Sequence, residues 1–105
     1  MHRVNIKPLS LNHAYFGRRF ATLELKEYKK ALFYLLPRKI AIDGKLSLSI
    51  RFGMSSKGSD IDNCVKCFMD ALSEKYGFND NRIYKLQVEK VDVKKGQEFI
   101  EWDIK

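Results

Sequence analysis

The sequence predicts a single α+β domain, a small mixed β-sheet packed by two helices in the order βαβαββ, which is the open-faced sandwich class. Three observations carry that expectation. Leu46-Ser47-Leu48-Ser49-Ile50-Arg51-Phe52 alternates strictly between apolar and polar, the period of a strand with one buried face. On either side of it, apolar residues recur at helical spacing. Near the end, two strand-like runs flank Lys94-Lys95-Gly96-Gln97, the pattern of a β-hairpin.

Taken in order, Val4 to Lys7 alternates ahead of Pro8 and reads as a short first strand. Leu9 to Ala21 has no sustained period and reads as a loop carrying Asn12, His13, Tyr15, Phe16, Arg18, Arg19 and Phe20. Thr22 can cap a helix from about Leu23 to Leu36, with Leu25, Tyr28, Leu32 and Leu35 or Leu36 at helical spacing, Glu24 and Glu27 early, and Pro37 and Arg38 at its end. Asp43-Gly44 is a turn into the alternating strand, and Gly53 to Ser59 is a small-residue loop. Ser59 followed by Asp62 has the shape of a capping box, opening a helix to about Tyr76 with Ile61, Val65, Phe68 and Leu72 as its apolar stripe. Beyond Gly77, a loop through Asn79-Asp80-Asn81 leads into a strand from Ile83 to Val93, and Phe99 to Ile104 returns beside it.

The chain has 105 residues, 45% of them hydrophobic and 12% aromatic, so residues 1–105 form one domain with enough apolar material for a core. Its longest apolar run, Ala31 to Leu36, falls far short of the roughly 20 residues of a membrane span, and no apolar signal core follows Met1. The expectation is a cytoplasmic protein with no membrane partner. Twenty Lys and Arg against 13 Asp and Glu leave a net charge of +7, which favours a polyanionic partner. Residues 1–59 carry 12 basic and 3 acidic side chains, whereas residues 60–105 carry 8 basic and 10 acidic ones. A basic half is thus joined to one where carboxylates gather.

Cys64 and Cys67 form a C-x-x-C pair, but four zinc ligands are not within reach of any sensible spacing, because the only imidazoles are His2 and His13. Cys64 also lies inside a helical pattern, away from the helix start where a redox thiol is activated. Two reduced, buried or half-buried thiols on one helix are expected.

The informative stretch is Asp60-Ile61-Asp62-Asn63, then Lys66 and Asp70. On a helix, Asp62, Lys66 and Asp70 lie at about 0°, 40° and 80° around the axis and share one polar face. Asp60 precedes the helix and Asp80 follows it, and either could fold back to that face. Several carboxylates at close range suit a hard divalent cation, with Lys66 as a fixed positive charge near a phosphate. The same residues also suit a solvated helix face, since Asp62 and Lys66 stand at ion-pair spacing and acids favour a helix start.

Asp60-Ile61-Asp62-Asn63, Lys66, Asp70-Ala71-Leu72, Tyr76, Asp80 and Ile83 together resemble the signature of the RusA family of Holliday junction resolvases. Asn12, Tyr15, Arg18-Arg19 and Lys90 extend the resemblance over most of the chain. It implies a RusA-like fold, a homodimer, and a magnesium- or manganese-dependent endodeoxyribonuclease that resolves four-way DNA junctions in recombination and repair. It implies Asp60, Asp62 and Asp80 as catalytic metal-binding carboxylates, Lys66 as a catalytic or phosphate-contacting lysine, and Asp70 and Asn63 as support for the site. The chain departs from the pattern in two places: Asn79 precedes Asp80 where the family often has a second acid, and Ser55-Ser56-Lys57-Gly58-Ser59 offers one basic residue where some members carry several.

For branched DNA held by its phosphates, Arg18, Arg19, Lys57 and Arg51 are the candidate contacts, with Asn12 nearby and Tyr15 or Phe16 able to stack on an unpaired base. Phe16 and Phe20 serve equally well as anchors of their loop to the core. Met69 and Phe68 are candidates for a two-fold interface, Phe68 also for the core. Two other functions fit the same residues: a junction-binding dimer without catalysis, and a nuclease for forks or flaps.

Overall fold

The computed structural model describes residues 1–16, 20–58 and 60–105, with backbone alone at residues 15, 16 and 20. A four-stranded mixed sheet is built from β1 (His2–Val4), β4 (Leu46–Met54), β5 (Ile83–Asp92) and β6 (Phe99–Ile104) in the order β1-β6-β4-β5, and it carries α1 (Leu23–Leu35) and α2 (Ile61–Tyr76). A separate two-stranded ribbon pairs β2 (Tyr15–Phe16) with β3 (Phe20–Ala21).

β4 is the central strand because its inner face is apolar throughout: Leu46, Leu48, Ile50, Phe52 and Met54 are buried beneath the helices. From the other elements, Ile100, Trp102 and Ile104 of β6, Leu25, Tyr28 and Leu32 of α1, and Phe68 and Leu72 of α2 complete the core. The Phe68 ring meets Phe52 and Trp102 edge-on, at centroid distances of 6.3 and 6.2 Å, favourable geometry for aromatic pairs. Phe68 is therefore core and not interface, while Met69 beside it is half-buried.

The expected terminal hairpin is not formed. β5 runs parallel to β4 (Leu48 opposite Leu86, Arg51 opposite Glu89), and β6 runs antiparallel on the other side of β4 (Ile50 opposite Trp102). The turn itself is real, with the Gln97 amide donating to the Lys94 carbonyl at 2.9 Å and Gly96 at φ 92°. What decides the pairing is burial. β6 brings a fully apolar inner face that belongs under both helices, whereas polar β5 suits an edge, and β4-α2-β5 closes as a crossover unit. The turn thus spans two strand spacings, about 10 Å, over the end of β4.

Smaller differences have equally local causes. The first strand occupies His2–Val4 and not Val4 to Lys7, because Val4 pairs with Ile100 at the start of β6 and the partner then runs out. The expected loop from Leu9 to Ala21 contains a 3-10 turn at Leu11–His13 and the β2–β3 ribbon, whose two-residue strands are too short to show a period. Thr22 caps α1 as expected, accepting from the Leu25 amide at 3.1 Å while its hydroxyl donates to the His13 carbonyl at 2.7 Å. The helix thereby starts where the N-terminal segment is fastened.

On α2 the capping residue is Asp60, with extended backbone, and its side chain makes no capping hydrogen bond; Ser59, expected to cap, lies outside the described residues. The buried stripe is Cys64, Cys67, Phe68, Ala71 and Leu72, rotated by roughly 60° from the expected one and leaving Ile61 exposed. Small thiols allow α1 to approach, and Cys is among the most readily buried residues. Both cysteines are free, as expected. Among the described residues no helix is long and apolar enough to cross a membrane.

Candidate active site

The rotation of α2 leaves Asp62, Lys66 and Asp70 nearly opposite the buried stripe, on the face that meets solvent. Lys66 Nζ lies 3.1 Å from Asp70 Oδ1, one turn along, and 3.0 Å from Asp80 Oδ2. Gly77, in the left-handed conformation at φ 71°, ends α2 and turns the chain back. A 3-10 turn at Asp80–Arg82 then presents Asp80, and Asn79 starts that turn by accepting from the Asn81 amide at 3.1 Å. The residue that stands where the family often has a second acid thus shapes the turn that aims the remaining one.

The lysine ammonium is pushed above its ordinary range, chiefly by the hydrogen bond to Asp80 and next by that to Asp70. It remains charged at any physiological pH. At the other end of the polar face, Asp60 and Asp62 are both exposed, and the Asn63 amide donates to Asp60 Oδ2 at a long 3.4 Å. The structure therefore gathers Lys66, Asp70 and Asp80 in one cluster, and Asp60 with Asn63 in a second.

A hard cation such as magnesium needs oxygen donors, commonly one or two carboxylates completed by water and substrate phosphate. Asp60 and Asp62 meet that requirement in kind, being exposed carboxylates at one helix start, so the donor chemistry fits. Among the described residues no three Asp, Glu, His or Cys side chains are grouped to hold a metal ion, and Asp80 is engaged by Lys66.

The candidate DNA contacts are dispersed. Arg18 and Arg19 lie outside the described residues, and of Tyr15 and Phe16 only the strand backbone is described. Arg51 projects from the sheet face away from the helices and is paired with Glu89 (Nε to Oε2, 3.4 Å) and Glu101 (Nη1 to Oε1, 3.7 Å). It is remote in direction from the polar face of α2. Lys57 is exposed in the loop before α2, and its carbonyl accepts from Lys90 Nζ at 3.2 Å, tying β5 to the loop that delivers Asp60.

Asn12 and Asp60 meet across a groove of about 730 Å³ between the N-terminal segment, α1, the end of β4 and the start of α2. Sequence reasoning missed this groove, since its walls come from residues between Ile6 and Glu98 with no shared motif. Among the described residues its charged lining is Glu24, Glu27, Asp60 and Glu98 against Lys7 and His13, which is mainly acidic. Glu98 is fixed there by the Ser55 hydroxyl, which donates at 2.7 Å and lowers the carboxyl's pKa.

With this geometry in view, comparison with known families is decisive: the model of the family described as Endodeoxyribonuclease RusA matches residues 9–101. The chain belongs to the RusA family. The family is one of endodeoxyribonucleases that act on branched DNA junctions. The matched span takes in α2, the Asp80 turn and all sheet strands except β1 and the last residues of β6. No curated protein matches the chain.

Proposed function

We propose that this RusA-family chain is a magnesium- or manganese-dependent endodeoxyribonuclease that resolves four-way junctions as a homodimer, by paired phosphodiester hydrolysis. The observation that carries the reading is the solvent-facing side of α2, where exposed Asp60 and Asp62 stand at the helix start and Lys66 is held between Asp70 and Asp80. Asp60 and Asp62 would hold the divalent cation, with Asp80 as the third carboxylate. A bound cation there would polarise a phosphoryl oxygen and acidify water. Lys66 offsets the charge that develops on the phosphate, and its two carboxylate partners keep it ionised and aimed. Asp70 and Asn63 orient Lys66 and Asp60. Lys57, with Arg18 and Arg19, supplies the phosphate grip; Arg51 has its own ion pairs on the other sheet face. A junction is cut in two strands of like polarity, and a two-fold dimer offers two sites in matching orientation.

A second reading, a junction-binding dimer without cleavage, is favoured by one observation: Asp80 is bound by Lys66 and so withheld from Asp60 and Asp62. Cleavage of an immobile, labelled four-way junction by the wild type and by Asp62→Asn, with binding followed in parallel, separates the two. Paired symmetric nicks in magnesium or manganese by the wild type, with Asp62→Asn binding normally and cutting at least 100-fold more slowly, is the expected result. Intact junctions bound by both proteins would establish the second reading.

A further inference from the structure

β5 is a ten-residue strand paired on one side only: β4 occupies one edge, and among the described residues no strand occupies the other. Long open edges invite pairing with another chain, and proteins that avoid it place charged side chains, prolines or bulges along them; the bulge of β5 lies at its start, between Ile83 and Lys85, and its pairing with β4 is regular from Lys85 to Asp92. This edge carries charges of both signs, and two of its apolar side chains lie open, Tyr84 at 70% and Leu86 at 45% exposure. We infer that β5 pairs with β5 of a second copy, antiparallel about a two-fold axis through Gln87, to make one continuous eight-stranded sheet.

The sequence of the strand fixes that register. With the axis normal to the sheet, residues facing each other across it must lie on the same face. About Gln87, Lys85 then faces Glu89 of the partner subunit, and Glu89 faces the partner's Lys85, both on the face away from the helices. On the helix side Leu86 faces the partner's Val88 and the reverse, while Tyr84 lies in the bulge outside the regular ladder. Opposite charges and apolar pairs directly across an antiparallel ladder each contribute to pairing. Moving the axis to Val88 sets Leu86 against the partner's Lys90, and moving it to Leu86 sets Lys85 against the partner's Gln87. Only the axis at Gln87 sets Lys85 against Glu89 and Leu86 against Val88 at once. The Glu89 side chain is 62% exposed beside its Arg51 partner, so its carboxylate is open to a second cation.

This inference deepens the two-fold reading proposed above, and its test reads mass and crosslinking, so a chain that fails to cut DNA leaves it standing. Across an antiparallel pair the two Gln87 Cα atoms would lie about 4.5–5.5 Å apart, within disulfide reach. Gln87→Cys should therefore crosslink to twice the 12.3 kDa chain mass under mild oxidation, while the wild type, whose own thiols are buried, should not. In sedimentation, Lys85→Glu and Glu89→Lys should each weaken the dimer at least tenfold, and the double exchange should restore it. A monomeric wild type, a dimer in which Gln87→Cys fails to crosslink, or a double exchange no better than either single variant would each overturn the pairing.

Discussion

Lys66 touches two carboxylates yet stays half open to water, and that combination separates its structural value from its chemical one. An exposed ion pair contributes at most about 1 kcal/mol, so replacing Lys66 should barely move the melting temperature. A charge placed against a developing phosphate charge has far more leverage, with losses of about 10²–10³ in rate when such a group is removed. Lys66→Met should therefore fold and bind junctions like the wild type and cleave them at least 100-fold more slowly, with Lys66→Arg intermediate, as read by thermal melts and single-turnover cleavage. A large drop in melting temperature for Lys66→Met would instead mean that the cluster holds the fold. Gly53 shows the opposite balance. It faces Phe99 across the β4–β6 ladder, and a Cβ there would overlap the Phe99 ring, over whose centre Arg3 is stacked at 4.0 Å. Gly53→Ala should cost about 1–3 kcal/mol in a denaturant melt, through overpacking alone; an unchanged midpoint would show that the ring moves aside freely.

Among the elements, those with a long period were legible and those decided by competition for a partner were not. α1 needed only its own apolar spacing, Thr22 and Pro37, and it forms within one residue of expectation. β4 was legible for the same reason. The hairpin failed because a turn signal says that the chain reverses, not which strand it reverses beside; that depended on Ile100, Trp102 and Ile104 being better suited than β5 to the place under both helices. On α2 the apolar stripe is rotated from the expected one because the small thiols of Cys64 and Cys67, expected to be buried or half-buried, are part of the inner face itself and turn Ile61 out to solvent. Their burial has a measurable consequence. Burial first, and Cys67 next, push the Cys64 thiol from its ordinary 9.0 to about 11, and burial raises Cys67 and Tyr28 as well. A group whose pKa is raised by folding supports the folded state below its unfolded pKa and loses that support as pH climbs through the folded one. The urea midpoint should thus hold to about pH 9 and fall between pH 9 and 11, less steeply in Cys64→Ala. Identical slopes in the two proteins would assign the alkaline loss to other groups.

Across the whole molecule, the polar face of α2 was readable from spacing because one helix carries it, whereas the partner of Lys66 was readable only as a residue able to fold back, since the Gly77 turn and the Asn79-capped turn fix where Asp80 arrives. The groove beside Asp60 was invisible for the converse reason: it is assembled from five separate parts of the chain. Its acidic lining places the burden of holding DNA on the basic half, and that division can be measured. Binding that neutralises phosphates releases counterions, so log affinity falls linearly with log salt by about 0.9 for each duplex phosphate neutralised. Lys57 stands exposed in the loop that leads to Asp60, where a strand approaching the polar face of α2 would pass. Arg51 is held by Glu89 and Glu101 on the opposite sheet face. In salt titrations of junction binding, Lys57→Ala should lower the slope by about 1 for each chain that contacts a phosphate, whereas Arg51→Ala should leave it unchanged. The reverse outcome, a slope that responds to Arg51 and ignores Lys57, would place the DNA on the outer face of the sheet and separate it from the carboxylates of α2 altogether.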